Sequence, residues 1–251
     1  MPWTFKTIKK IKSGKSILIE GLPGMGNVGK IAIDFIIDDL KADKICDIVS
    51  PKLPHCVFVN DENLIELPSI SMYHKKLKNK SLFLISGDTQ PLDETSCHEF
   101  CNEVLSFCKK NSCEEIITLG GVGLQKEPPK PKIYLTGNSK NMLAKYNPSK
   151  KRKLNSIVGP IVGVSGLLVG LANNAKIPAV NIMAETFGHP NYMGVRGAKE
   201  ILHVLEKKLS LGLNLKRLNK EADELQAISD SLEDAEYIDD AEEEHENNYF
   251  G

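Results

Sequence analysis

The sequence contains no apolar run long enough to span a membrane. Its start, MPWTFKTIKKIKSGK, lacks the apolar core of a secretory signal. A cytoplasmic protein is therefore expected. No C-x-x-C pair occurs either, although there are six cysteines. Cys46 and Cys56 stand alone. Cys97, Cys101 and Cys108 fall at i, i+4 and i+11 and share one helical face with Val104 and Leu105. Metal ligands would need closer spacing or a histidine pair, and His98 points elsewhere on that helix. The spacing predicts a core stripe in which cysteine packs as a small hydrophobe, and no metal site. Aromatic residues are scarce, at 6%, and few accompany the lysines, which are scattered apart from KNK near 78 and KKRK at 150–153. That distribution argues against a nucleic-acid interface.

What is present is ordinary for a globular protein: 251 residues, 41% apolar and 26% charged. The formal net charge of −1 hides an asymmetry. Residues 219–251 carry 13 acidic side chains and one basic one, Lys220, while the rest of the chain has 31 basic and 20 acidic residues. An acidic arm on a basic body reads as a solvated or interacting tail.

Short apolar runs alternate with helical spacing. KSILIE, KICDIV, KSLFLISG, EEIITLGG and IPAVNIMAET read as strands. Helices are expected over NVGKIAIDFIIDDLKAD, over about 93–111, after the glycine-rich stretch that precedes LLVGLANNA, and over about 194–211. Between 55 and 75 the turn-punctuated pattern suggests antiparallel additions, and KIYLTG reads as a further strand. The alternation predicts a three-layer α/β/α sandwich around a mainly parallel sheet. The expected boundaries are an N-terminal segment at 1–14, an α/β domain at 15–212, an acidic amphipathic helix at 213–237 and a flexible tail at 238–251. Leu218, Ala222, Leu225, Ile228, Leu232 and Ala235 form the thin apolar stripe of that helix.

The stretch GLPGMGNVGK, residues 21–30, carries three readings. As G-x-x-x-x-G-K it opens a phosphate-binding loop, but magnesium would need Ser or Thr where Ile31 stands. As G-x-G-x-x-G it is a dinucleotide fingerprint, but the next strand ends in Ser50 and Pro51 rather than an acid, and its Asp47 lies inside the strand. The third reading is structural: Gly21, Pro23, Gly24, Gly26 and Gly29 make a tight strand-to-helix turn, with Asn27 as its helix cap. Other patterns are weaker. Asp88 ends a strand, GVSGL puts Leu167 where a nucleophile elbow around Ser165 needs glycine, and Glu185 with His189 lacks a nucleophile nearby.

Taken in order, GLPGMGNVGK, SGDTQP at 86–91, TLGGVG at 118–123, GPIVGVSGLLVGL at 159–171 and IPAVNIMAET at 177–186 resemble the proteasome assembly chaperone 2 family in its archaeal form. The resemblance covers about residues 15–210. It implies a nucleoside-phosphorylase-like fold, homo-oligomers, and a glycine loop that need not bind a nucleotide. Some members are described as ATP-grasp-like enzymes, so the nucleotide-enzyme reading stays open. Proteasome activators and assembly chaperones often end in a hydrophobic residue, a tyrosine and one final residue. Here the end is Tyr249, Phe250 and Gly251, with a ring but no hydroxyl at the middle position. The missing hydroxyl weakens binding by about 1 kcal/mol, and by more if its partner stays buried and unpaired. The resemblance implies that this tip enters a lysine-containing pocket between α subunits of the proteasome core particle.

The expectation is therefore a non-enzymatic chaperone or activator-like protein without a cofactor, binding proteasome α subunits, itself, and alternatively a second family member. A nucleotide-binding enzyme using residues 21–30, ATP-grasp-like or NAD-binding, and a homo-oligomeric scaffold for another partner remain the alternatives.

Overall fold

The computed structural model describes residues 3–11, 14–78, 80–147, 159–189 and 192–214, together with 216, 217, 219, 220 and 224. In chain order the elements are β1 (Thr4–Thr7), β2 (Ser16–Glu20), α1 (Val28–Asp39), β3 (Asp43–Val49), β4 (Phe58–Val59), β5 (Ile65–Glu66), β6 (Ile70–Lys76) and β7 (Ser81–Gly87). They continue with α2 (Glu94–Lys110), β8 (Cys113–Leu124), β9 (Ile133–Gly137), α3 (Lys140–Tyr146), α4 (Val164–Asn174), β10 (Ala179–Phe187) and α5 (Val195–Leu209).

Eight strands form one sheet in the order β1-β3-β6-β7-β2-β8-β10-β9. The neighbours β7, β2, β8 and β10 pair in parallel. β6 runs against both β3 and β7, which gives β3 the direction of the parallel group. β1 and β9 run against β3 and β10. The three-layer α/β architecture with a mostly parallel central sheet is as the alternation implied. The antiparallel set is wider than the 55–75 stretch suggested, since β1 and β9 join β6. Both lie at the ends of the sheet, where a strand has one neighbour and needs no crossover helix to arrive.

The central strands are apolar on both faces because helices cover both. All seven residues of β7 are buried. Leu82 and Leu84 join the core beneath α1 and α5 with Ile17, Ile19, Ile117 and Ile182. Phe83 and Ile85 join the opposite core beneath α2 and α4 with Leu18, Phe100, Val104 and Leu168. One residue of shift would exchange the two sets, so the alternation fixes register. The cysteine stripe packs as expected: Cys97, Cys101 and Cys108 are buried in the second core, and His98 is exposed. The bond with Cys113 raises the Cys108 thiol well above its ordinary pKa, and burial raises it further.

α2 starts at Asp93, whose carboxylate accepts from the Ser96 amide at 2.9 Å, and ends over Lys109 and Lys110, which suit the negative end of the helix dipole. α3 falls in a polar, proline-rich stretch where periodicity gives no signal. Ser139 caps it, and Met142 and Tyr146 bury one side. Trp3 is buried against Phe100 in an edge-to-face contact at 5.0 Å, pinning β1 to α2. Phe83 meets Phe107 edge-on at 4.9 Å and is fully buried. Phe83→Ala is expected to cost about 3–5 kcal/mol in urea unfolding, because this site cannot collapse around the lost ring. A loss under about 1 kcal/mol would contradict that packing.

Candidate functional site

The carboxyl ends of β2, β7, β8 and β10 all point to one end of the molecule, where open α/β sheets place their sites. The glycine loop lies there and is held closely on every side. Gly26 and Asn27 are successive left-handed residues, at φ 58° and 50°. A Cβ on Gly26 would stand 2.4 Å from Thr186 Oγ1, and one on Gly21 would stand 2.3 Å from the Gly29 carbonyl oxygen. Gly29 meets the Leu119 carbonyl at 2.5 Å by the same measure, and Gly121 meets the Met25 carbonyl at 2.2 Å. The Gly194 amide donates to the Gly26 carbonyl at 2.7 Å, closing the loop from the β10–α5 connection. Gly24 is extended and open on its Cβ side. Asn27 takes the cap position of α1, but its side chain makes no capping bond, contrary to expectation. In the left-handed conformation its side chain does not sit as an extended cap residue's does.

The residues weighed for chemistry are occupied in other ways. Lys30 Nζ pairs with Asp34, one turn further along α1, at 2.8 Å, so it runs down the helix rather than back over the loop. Ile31 is half-buried against the core rather than fully buried. Asp88 accepts from the Ser69 hydroxyl at 2.8 Å, and Asp47 pairs with Lys44 at 2.6 Å. The Ser165 carbonyl accepts from Thr118 Oγ1 at 2.8 Å in the first turn of α4. Glu185 accepts from the Tyr134 hydroxyl at 2.9 Å and the Lys132 amide at 3.0 Å, whereas His189 stacks on Phe187. None of these arrangements pairs a nucleophile with a base, and the lysine is not aimed at a phosphate. Among the described residues no group of three or more His, Cys, Asp or Glu side chains is placed to hold a metal.

Gln90 joins the motifs and was not singled out from the sequence. Its Nε2 donates to the Pro23 carbonyl at 2.8 Å, and its Oε1 accepts from the Val164 amide at 3.3 Å. The glycine loop, the SGDTQP turn and the start of α4 thus meet at one amide. Gly163, at φ 93°, would put a Cβ 2.7 Å from the same oxygen. Only the proximity of TQP to a strand end could have suggested this role. Beside Gln90 a groove of about 590 Å³ runs between α2 and α4, lined by Leu92, Cys97, His98, Val162 and Gly166 among others.

Glu20 ends β2 beneath those helices. Its Oε1 accepts from the Leu22 amide at 2.9 Å, while Oε2 is buried without a partner. Burial raises its pKa to about 8, opposed by the Leu22 bond. Glu20, Thr118 and Asn181 are register neighbours across β2, β8 and β10, a polar row inside an otherwise apolar layer. Tyr249, Phe250 and Gly251 lie outside the described residues, as do KKRK at 150–153 and most of the expected acidic helix.

Together these features define a three-layer α/β protein whose glycine-rich turn is packed into the sheet's own backbone. A profile of the PAC2 family matches residues 18–233, and the chain belongs to this family, the one its ordered motifs resemble. The Pyrococcus furiosus protein PbaB, an archaeal proteasome activator, superposes with a TM-score of 0.82 at 26% identity, over 92% of this chain and 99% of its own. PbaA from the same organism, an archaeal homologue of proteasome-assembly chaperone, superposes with a TM-score of 0.76 at 25% identity, over 99% and 98%. The Methanocaldococcus jannaschii protein MJ1210 is 29% identical over 212 residues, covering 82% of this chain and 79% of its own.

Two outcomes test this geometry. Gly26→Ala should lose about 1–3 kcal/mol in thermal or urea unfolding, from a left-handed backbone and the Thr186 contact, while Gly24→Ala should stay within about 0.5 kcal/mol. Equal effects would contradict the clasp. The second concerns pH. Glu20 ionises above about 4.5 in the unfolded chain but holds its proton to about 8 when folded. The folded state therefore binds more protons in that window, so this stabilisation is complete below it and is lost as pH rises through it. Glu20→Gln should flatten the fall in stability between pH 5 and 8, read by urea unfolding. Unchanged slopes would show that Glu20 is not the titrating group.

Proposed function

We propose that this chain is a proteasome assembly chaperone or activator-like protein of the cytoplasm. Its α/β body self-associates, and its C-terminal tail engages the α-ring of a proteasome core particle. The observation that carries this reading is the likeness to PbaB and PbaA, which extends over nearly all of each chain. The glycine loop then serves as a structural turn, a role supported by the four sub-3 Å approaches that leave no room for side chains at Gly21, Gly26, Gly29 and Gly121. No catalytic step is assigned to it.

Tyr249 and Phe250 supply rigid apolar area, and the carboxylate of Gly251 suits a cationic pocket. A coil of about 14 residues has a root-mean-square reach of about 20 Å, enough to search between neighbouring pockets. Several tails on one assembly raise the effective concentration at the ring. The acidic stretch before the tip would steer it towards a basic rim, so association should weaken with salt. The anchor of the tail supports this use. Asn214 donates its amide to Asp39 at 2.8 Å, and Arg217 pairs with Asp38 and Asp39 while covering the Phe35 ring at 5.4 Å. These contacts lie at the carboxyl end of α1, away from the glycine loop.

The test is binding of the full chain, and of a version lacking Tyr249, Phe250 and Gly251, to purified archaeal α-rings at two salt concentrations. Binding is expected for the full chain, weaker at higher salt and abolished by the truncation. Equal binding by both versions would refute the tail mechanism. Binding by neither would refute the proteasome reading for that ring.

A further inference from the structure

Large apolar side chains are exposed mainly at one end of the molecule. Of those exposed, Val57, Phe58, Val59, Leu64, Ile65 and Leu67 belong to residues 50–69, which leave the sheet after β3 and return at β6. Met25, Leu92 and Val162 lie on neighbouring loops at the same carboxyl end. Within this excursion β4 and β5 form a separate two-stranded sheet that is not hydrogen-bonded to the main one. Such a hairpin is marginal in water by itself, and this one presents Val59 and Ile65 at 63% and 71% exposure. A hairpin built this way is stabilised by being covered.

Charge indicates what covers it. Between residues 54 and 68 the hairpin carries Asp61, Glu62 and Glu66 and no lysine or arginine, and all three acids are exposed. The loop between β8 and β9, QKEPPKPK, opens at the same end of the sheet. Its Lys126 and Lys130 are exposed, as is Lys132, which pairs with Glu185 at 3.6 Å, whereas Glu127, its one acid, is tied to Tyr192 at 2.7 Å and Arg196 at 3.0 Å. β6 and β8 are three places apart in the sheet and β6 and β9 five, about 14–24 Å at the usual strand spacing. The acidic hairpin and the lysine loop of one chain therefore stand on opposite sides of that end.

We infer that the β4–β5 hairpin of one copy docks on the β8–β9 lysine loop and adjoining carboxyl-end surface of a second copy, in a head-to-tail contact. This rests on the self-association in the proposed function and assigns it a surface. The acids meet the lysines, and Phe58, Val59 and Ile65 leave water against the partner's end surface. A contact between two different patches repeats from copy to copy and closes as a ring when the rotation permits. Its electrostatic part weakens as salt rises. Cys56, exposed at the base of the hairpin, reports on the contact through its thiol.

The test is the mass of the full chain by size-exclusion chromatography with light scattering, in the absence of any proteasome. Wild type is expected to be larger than a monomer. The hairpin variant Phe58→Asp/Ile65→Asp and the loop variant Lys126→Glu/Lys130→Glu are each expected to be monomeric, with circular dichroism unchanged. Mixing the two should give a one-to-one dimer, because one intact hairpin then meets one intact loop. Asp61→Lys/Glu62→Lys combined with Lys126→Glu/Lys130→Glu should restore assembly even where an apolar-to-acid change harms folding. Maleimide labelling of Cys56 should be at least severalfold slower in wild type than in the loop variant. A monomeric wild type, a variant retaining wild-type mass, or a mixture that stays monomeric would overturn the inference. Because the readout needs no α-ring, its failure leaves tail binding to be judged by its own experiment.

Discussion

Everything at the carboxyl end of the sheet depends on one constraint: backbone meets backbone there without side chains between. Gly29 lies against the Leu119 carbonyl and Gly121 against that of Met25, so α1 sits closer to β8 than any residue with a Cβ would permit. That approach holds the first turn of α1 beneath Thr186 and Gly194 and lets Gln90 reach both Pro23 and Val164. Phosphate-binding loops share the glycines but use them to open backbone N–H groups to a ligand. Here the glycines admit other parts of the protein. Like glycine spacing thus serves opposite ends, and the neighbours decide which.

The same principle accounts for what the sequence made legible. β2, β7 and β10 were readable because parallel strands under two helical layers are apolar on both faces, and the cysteine face of α2 because its period is regular. Most of the loop's glycines were readable as turn-formers, but their contacts were not, since Leu119, Thr186 and Gly194 are distant in sequence. Gln90 carried no signal beyond its place in SGDTQP at a strand end. A single amide bridging three loops has neither period nor spacing. β1 was not read as a strand at all, since it lies in the stretch taken as an N-terminal segment. β9 was read as a strand but not as antiparallel, because direction follows from sheet order, which a local pattern does not encode. α3 was hidden because seven residues in a lysine-rich stretch give too few turns to show an apolar face.

Part of the buried polarity lies next to where the loops meet. Glu20, Thr118 and Asn181 form a row across three strands, and Glu20 and Asn181 each leave side-chain atoms without a partner. An apolar row would pack more cheaply. Retaining polar groups there fits an end of the molecule that is shaped by specific hydrogen bonds, such as Thr118 to Ser165, rather than by apolar filling alone. Phe83, Phe100 and Leu168 belong to the same layer beneath α2 and α4 and surround that row with apolar packing.

The anchor at Arg217 gives the molecule a direction. Its contacts to Asp38, Asp39 and Phe35 fasten the last part of the described chain at the amino-end side of the sheet, a full helix length from the hairpin and the lysine loop. Copies related by rotation in a ring all present the same side to the same half-space. That result depends only on the shared axis. On the proposed function, such an assembly would have one gripping face and one blank face, would seat on a single end of a two-ended barrel and would leave its own far side free.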